Sequence, residues 1–463
     1  MIAMHSWPHS PRRFHRARRK WNAWSPPISV PEMNFESYRH GIRDNLQQVS
    51  HQLFQVLLVG MTLGLMRTVV PALAETEFGV PRGSFLLLVA FVVAFGFVKG
   101  TLNFVAGRLS EHYGRKHILL VGWIIAIPIP VIVYLAPNWG WVVFATVLLG
   151  VNQGLTWSMT QTAKLDITHA NERGLTIGLN EFSGYFGVAV AGIVTGYLSE
   201  WLTPRTGLLW FGLITVAVAI VTTMVWVKET LPWAHAEAAR HASGTATGPV
   251  PRYPKNISDR PGTWEVFTLM SRRDPRMAAF SQAGLVEKFV DALIWVFFPV
   301  FFFQKGLSLA DIGWVVGIYG FVWGGSQFVT GKLSDHIGRK WPIISGMWIC
   351  GAGVGLTLLG NSIAWWSFAA AVTGFGMALL YPNLSAAVGD IAHPNWRGSA
   401  IGIYRFWRDL GYGIGALVLG LASNATGVLT TGFWLVTVAM GFSGLLVLIL
   451  AEETHPRLNP AGD

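Results

Sequence analysis

The chain of 463 residues is 52% hydrophobic and only 13% charged, against roughly 25% charged for an average soluble domain, and its apolar residues fall in runs of about 20, long enough to cross a bilayer. The formal charge of +10 does not point to nucleic acid, because Lys and Arg crowd into alternate loops and no aromatic-basic module for bases accompanies them. One cysteine, Cys350, excludes an intrachain disulfide and a cysteine-based metal site.

The first 52 residues carry Arg12, Arg13, Arg16, Arg18, Arg19 and Lys20 without the apolar stretch that a secretory or twin-arginine signal requires. They read as a disordered basic tail, with Met33 an alternative start. Apolar runs then predict six spans at about 53–75, 84–106, 117–136, 139–163, 175–199 and 206–227. The polar stretch 228–278, with Ser-Gly-Thr-Ala-Thr-Gly at 243–248 followed by prolines and basic residues, reads as an unfolded linker. Six more spans follow at about 279–303, 311–330, 342–360, 363–388, 399–423 and 428–451, and 452–463 is a short tail. Links such as Pro137-Asn138-Trp139-Gly140 make neighbouring spans antiparallel. The expected fold class is an all-α membrane protein with twelve transmembrane helices in two six-helix bundles, 53–227 and 279–451.

Twelve spans place both tails, the linker and the segments holding Arg115-Lys116, Lys164 with Arg173, Arg339-Lys340 and Arg397 on one side. The other side holds Arg82, Arg205 and Lys305. The basic-rich side is predicted to be cytoplasmic.

An internal repeat organises the chain: GRLSEHYGRK at 107–116 returns as GKLSDHIGRK at 331–340, a shift of 331 − 107 = 224. The same shift carries Gly96-Phe97-Val98 onto Gly320-Phe321-Val322, and Asp166-Ile167 onto Asp390-Ile391. It also carries Arg173-Gly174 onto Arg397-Gly398, and Glu229-Thr230 onto Glu453-Thr454. With an even number of spans per half, both copies enter from the same side and the repeats are parallel.

In these two decapeptides the sequence resembles the major facilitator superfamily, whose segment between the second and third helices follows a pattern like G-x-L-x-D-x-x-G-R-K. Gly107, Gly114, Arg115 and Lys116 match, as do Gly331, Asp335, Gly338, Arg339 and Lys340, while Glu111 stands where Asp is usual. The resemblance spans about residues 50 to 455. It implies secondary transport of a small solute held near the bilayer midplane between the halves. It also implies that Glu111 and Asp335, with Asp166, Arg173, Asp390 and Arg397, latch a cytoplasmic gate. Glycines at 107, 114, 331 and 338 suit a tight turn between helix ends, and the carboxylates suit backbone N–H groups at a neighbouring helix start. Basic loops that only set topology are the simpler alternative, above all for Lys116 and Lys340.

Ionisable side chains at bilayer depth cost about 2.5–3.5 kcal/mol each on insertion scales, so each should face a cavity or a partner. Arg67, Lys99, Glu181, Glu287, Lys288, Asp291, Arg405, Arg408 and Asp409 all fall within predicted spans. Glu287 and Asp291 share a helical face, as do Arg405 and Asp409. These, with Arg67 and Arg408, are the candidate solute-binding or ion-coupling residues, and static pairs that hold helices together are the alternative. The shift maps Arg67 onto Asp291 and Glu181 onto Arg405, so each half is expected to contribute a different sign. Snorkelling explains Lys99 and Glu181 about as well, since they are closer to the basic-rich face, and they rank below the other candidates.

The resulting expectation is a proton-coupled transporter of an anionic or polar solute working by alternating access, a monomer in a bacterial inner membrane. Its partners would be lipid, solute and proton, with no nucleic acid, metal or cofactor. Export of drugs or toxic compounds is the second reading. It is weakened by the lack of a Gly-Pro pair in the fifth span and by Gly150, which stands where drug/proton antiporters carry an Arg before Gln153-Gly154. The chain has no GxxxxGK[ST] loop, HExxH motif or nucleophile elbow, so neither an ATP-driven pump nor an enzyme is expected.

Overall fold

Each apolar run closes its backbone hydrogen bonds within itself, the condition for crossing lipid, and folds as helix. The computed structural model describes residues 38–68, 85–243, 252–254, 257–258, 261–307 and 309–459, apart from the side chains of 67–68, 85–91, 200 and 309–310. Everything below lies within the unit Arg39–Asp463. The first half contains α1 (Leu46–Thr68), α2 (Phe85–Tyr113), α3 (Arg115–Leu135), α4 (Trp139–Ile167), α5 (Arg173–Trp201) and α6 (Pro204–Val225). The second contains α7 (275–304), α8 (Leu309–Ile337), α9 (Lys340–Leu356), α10 (Ile363–Ile391), α11 (Arg397–Thr426) and α12 (Thr430–Leu450). Among the described residues, nine of the twelve are long and apolar enough to be read as spans from composition. The other three are α7 and α11, which carry the buried charges, and α9, with only 17 residues.

Local chemistry sets the ends. The Asn138 side chain accepts from the Gly140 N–H at 3.0 Å and starts α4, while the Asp274 carboxylate accepts from Arg276 and Met277 N–H groups and starts α7 at Pro275. Helix α3 breaks at Ile127, ahead of Pro128. Helix α7 carries a π turn at Leu293–Phe297, directly after Asp291, the kind of bulge that accumulates where a helix serves a site.

Three expectations change. Helix α1 starts at Leu46 rather than 53, because Gln48 and Gln55 are buried with partners of their own: Gln48 donates to the Trp226 carbonyl at 2.8 Å and Gln55 to Thr222 Oγ1 at 2.8 Å. Residues 39–52, expected in a disordered tail, are therefore ordered, whereas 1–37, and 69–75 of the first predicted span, lie outside the described residues. The linker is not unfolded throughout: Leu231–Ala242 is a helix that buries Ala234, Ala236 and Ala238. Helices α2 and α8 also run on through most of the repeated motif, so Gly107 and Gly331 lie inside helices. Only Gly114 and Gly338 make the turn, at φ 86° and 94°.

The halves meet along two seams, α2 against α11 and α5 against α8. At the motif end the seams are alike: Gly107 meets Gly398 and Gly402, and its repeat Gly331 meets Gly174 and Gly178, backbone against backbone. Farther along they diverge. A Cβ at Gly96 would lie 2.9 Å from Tyr412 Cβ, and one at Gly100 would lie 3.0 Å from the Phe406 carbonyl oxygen. At their repeats, Gly320 would meet nothing within 4 Å and Gly324 only Tyr185 Cβ at 3.8 Å. The molecule is shut at the motif end and parts between α5 and α8 beyond Tyr185.

Candidate functional site

The motif end is held by acids that serve the other half's helix starts. Glu111 accepts from the Ser399 N–H at 2.7 Å, and Asp335 accepts from the Gly174 and Leu175 N–H groups at 2.9 and 2.8 Å, each a carboxylate at the positive end of α11 or α5. Arg115 donates to Asp166 at 2.7 Å within the first half, and Arg339 donates to Asp390 at 3.1 Å within the second. Across the seam the partners exchange: Arg173 reaches Asp390 at 3.0 Å, and Arg397 lies 3.7 Å from Asp166. The backbone N–H groups of Arg115 and Lys116 donate to Glu229, and those of Arg339 and Lys340 to Glu453, two copies of one contact. A Cβ at Gly114 or Gly338 would strike these carboxylates, so the glycines and the repeated Glu belong together.

Sequence reading missed Glu237 of the linker helix. Its two oxygens accept from Arg397 Nη1 and Nη2 at 2.9 Å each, and one also accepts from Arg173 Nη2 at 3.2 Å. One carboxylate thus clasps an arginine from each half, with the bidentate geometry that guanidinium favours. Burial pushes its carboxyl upward, but Arg397, His241 at 3.8 Å and Arg173 outweigh this and hold it well below the usual carboxylate range. The available signal was a lone Glu in an Ala-rich helical run, LPWAHAEAARHA.

Midway along the helices lies a second buried set, five basic and four acidic: Lys99, Lys164, Lys288, Arg405 and Arg408 with Glu181, Glu287, Asp291 and Asp409. Lys288 lies 3.0 Å from Glu287 and 2.6 Å from Asp291, while Arg408 lies 3.3 Å from Glu287. Tyr319 donates to Asp291 at 3.1 Å. Asp409 accepts from Asn103 at 2.7 Å, with Lys99 at 3.5 Å and Arg405 at 3.8 Å. Two aromatic platforms carry these cations. Trp157 has Lys99 at 5.4 Å and Arg405 at 5.9 Å, and Tyr381 has Lys288 at 4.4 Å and Arg408 at 3.7 Å from the ring centre. The two rings are repeats of one another, since 157 + 224 = 381. That equivalence was available in the sequence and went unused.

The candidate residues are thus partly brought together. Glu287 joins Arg408 and Arg405 joins Asp409, but Asp291 pairs with Lys288, which had not been ranked among the site residues. The side chain of Arg67 lies outside the described residues. Lys99 and Glu181 do not snorkel: they are 5% and 0% exposed, held inside by ring contacts and by hydrogen bonds from Trp157 and Asn180. Nor does each half supply one sign, since Lys99 and Glu181 face a second half that itself holds both. Buried guanidinium capacity remains: Arg405 Nε and Nη2 and Arg408 Nη1 and Nη2 have no hydrogen-bond partner among the described residues.

Comparison with known proteins places this geometry. A family model described as Major Facilitator Superfamily matches residues 53–286 and 280–463. The chain is 24% identical to the "Probable 4-methylmuconolactone transporter" of Cupriavidus pinatubonensis, over 87% of each chain. It is 33% identical to the 3-(3-hydroxy-phenyl)propionate transporter of Escherichia coli over 36% of this chain and 38% of that one. Its fold is similar to the crystal structure of the human organic anion transporter MFSD10, with a TM-score of 0.71 at 16% identity, covering 87% of this chain and 99% of that one. With the family matched across both halves and the repeated motif at the seams of two six-helix bundles, the chain belongs to the major facilitator superfamily of membrane transporters.

Proposed function

We propose that the protein moves a small organic carboxylate by alternating access, driven by protons, with Arg405 and Arg408 binding the carboxylate and the rings of Trp157, Tyr381 and Tyr412 receiving its apolar body. The observation that carries this reading is the four guanidinium nitrogens, over aromatic rings between the halves, that have no hydrogen-bond partner among the described residues. A buried polar group without a partner costs about 1–3 kcal/mol, and a carboxylate fits a guanidinium fork in two parallel hydrogen bonds. Export of a cationic drug fits less well. Glu287, Asp291 and Asp409 already face Lys or Arg within 4 Å, so the oxygens left over on them, Glu287 Oε2 and Asp409 Oδ1, belong to carboxylates whose charge is already compensated. The named relatives support an organic acid or lactone as the class of solute.

In this reading the motif end is the cytoplasmic gate, closed here. Gly107, Gly331 and the turn glycines Gly114 and Gly338 permit the close approach. Glu111, Asp166, Arg173, Asp335, Asp390 and Arg397 hold it, and Arg115, Lys116, Arg339 and Lys340 fix the two turns. The location follows from the excess of basic residues at this end, where the described segments at Gly41, Thr230 and Thr454 also lie. The test is uptake in proteoliposomes of 3-(3-hydroxyphenyl)propionate, xylose and a cationic dye, each with and without a pH gradient. Gradient-dependent accumulation of the acid alone is expected. Accumulation of the dye alone would replace the reading with drug export.

A further inference from the structure

The proton-coupled reading leaves open which carboxylate carries the proton, and the acids on α7 and α11 are the obvious candidates because they line the charged centre. Their surroundings count against them. Glu287 is bound by both Lys288 and Arg408, Asp291 by Lys288 and the Tyr319 hydroxyl, and Asp409 by Lys99, Arg405 and Asn103. Neutralising Glu287 would strand Arg408, and neutralising Asp409 would strand Lys99 and Arg405, a loss of about 3–5 kcal/mol for a broken buried pair; neutralising Asp291 would break the shorter of the two contacts of Lys288.

Glu181 on α5 is different. It is 0% exposed, yet no Lys, Arg or His nitrogen lies within 4 Å of it among the described residues. One oxygen, Oε1, accepts from Trp157 Nε1 at 3.0 Å and from Asn180 Nδ2 at 2.9 Å, and the other, Oε2, has no partner. Lys164 of the neighbouring α4 gives its Nζ to the Gln52 carbonyl at 3.1 Å instead. A proton on Oε2 would neutralise this carboxyl without stranding any cation. The charged or titratable groups that act on it from a distance are Lys164 of α4, Arg408 of α11 and Tyr185 of its own helix.

Its place on α5 gives the proton a route. Gly174, Gly178, Glu181 and Tyr185 recur at helical spacing along one face. Gly174 and Gly178 are closed against Gly331 and Gln327 of α8, and Tyr185 packs against Trp323 with the rings tilted and their centres 4.1 Å apart, just where the seam begins to part. The carboxyl is therefore sealed from the motif end by the same contacts that close the gate. Opening that end would expose it to the other compartment.

We propose that Glu181 takes up and releases the coupling proton at Oε2, and that Trp157 is the positioning residue linking it to Arg405 and Lys99. Uptake forms only the Oε2–H bond and release breaks it, the proton passing to water in each direction. The Trp157 indole N–H holds one carboxylate oxygen while its ring faces both cations, so a change of charge at Glu181 is felt one ring away from the carboxylate-binding arginines.

This inference rests on proton coupling, and the experiment separates the two. In proteoliposomes, Glu181→Gln is expected to retain counterflow of 3-(3-hydroxyphenyl)propionate within about threefold and to lose at least tenfold of its accumulation under a pH gradient. Trp157→Phe, which keeps a ring but removes the N–H, is expected to shift the pH midpoint of counterflow; a purely structural ring would lower yield and leave the midpoint in place. Should Glu181→Gln fail to fold, Glu181→Asp is read instead, with accumulation kept and the midpoint moved. Undiminished accumulation by Glu181→Gln, or an unmoved midpoint in Glu181→Asp, overturns the role of Glu181 and leaves proton coupling standing. Wild-type protein that accumulates the acid equally without a gradient overturns both.

Discussion

Replacing Glu237 by Gln tests whether the linker helix holds the gate shut. In the closed state its oxygens take three hydrogen bonds from Arg397 and Arg173. Glutamine keeps one acceptor and turns an NH₂ donor toward a guanidinium, so at least one charge-assisted bond of about 1.5–3 kcal/mol is lost. With the halves apart the carboxylate is hydrated, and its replacement there is nearly neutral. Taking a loss of about 2 kcal/mol, the closed-to-open ratio should fall about 30-fold. Cysteine at the buried Ser399 position, in a Cys350→Ala background, reports opening through its rate of reaction with a membrane-permeant maleimide, and that rate should rise by the same factor. The pH sign is fixed by the direction of the Glu237 shift: a carboxyl held below its ordinary range stabilises the closed state above that range and loses the effect as pH falls through its own lowered value. Between pH 5 and 8 the clasp should therefore contribute a constant amount. An unchanged labelling rate in Glu237→Gln, together with a raised rate in Arg397→Gln, would refute the clasp and leave the linker helix a passive tether.

Arg408→Gln should raise the KM for the acid by about 10- to 100-fold, the loss of one or two charge-assisted bonds, and Arg408→Lys should recover only part of it because an ammonium lacks the fork; equal KM values in uptake assays would remove Arg408 from binding. Cysteines placed singly at Asn138 and Ser243 should label from outside and inside intact cells respectively, and labelling of both from outside would overturn the topology on which the gate's location rests. Gly96→Ala should slow transport while its repeat Gly320→Ala does not, since the added methyl would crowd Tyr412 and the Asp409 carbonyl in one case and meets nothing within 4 Å in the other. Equal turnover numbers for the two variants would show that the α2–α11 seam also opens.

How much of this was legible in the sequence depends on whether a residue's role is local. The spans and the repeat follow from apolar runs and a constant register. Gly114 and Gly338 turn the chain wherever the halves lie, because positive φ is a property of one residue. Gly107 and Gly331 were read as turn residues too, yet they sit inside helices and serve a backbone crossing between halves, which no pattern within one helix reveals. Glu237 was invisible for the same reason: its partners Arg397 and Arg173 are distant in sequence on both sides. Helical spacing puts Glu287 with Asp291 and Arg405 with Asp409, but it gives the face of a helix and not which neighbour a side chain reaches, and Asp291 pairs with Lys288, a residue outside the candidate set.

The repeat also gives the proposed gate of buried ion pairs a way to open at tolerable cost. Asp166 and Asp390 each keep an arginine of their own half, Arg115 and Arg339, whichever state the molecule is in, because those pairs lie within a bundle. What crosses the seam is the second arginine, Arg397 to Asp166 and Arg173 to Asp390, at the first residue of α11 and of α5. Separating the halves therefore strands neither Asp166 nor Asp390, and it delivers two arginines at helix ends into water, where a guanidinium is well solvated. A buried pair broken inside a closed bundle would cost about 3–5 kcal/mol; a pair broken by admitting water costs far less, since both charges regain hydration. The bundles can accordingly part as rigid bodies, while Glu237 clasps an arginine of each half and cannot keep both once they separate, which is why the linker helix is a place where the balance between the two states is easily moved.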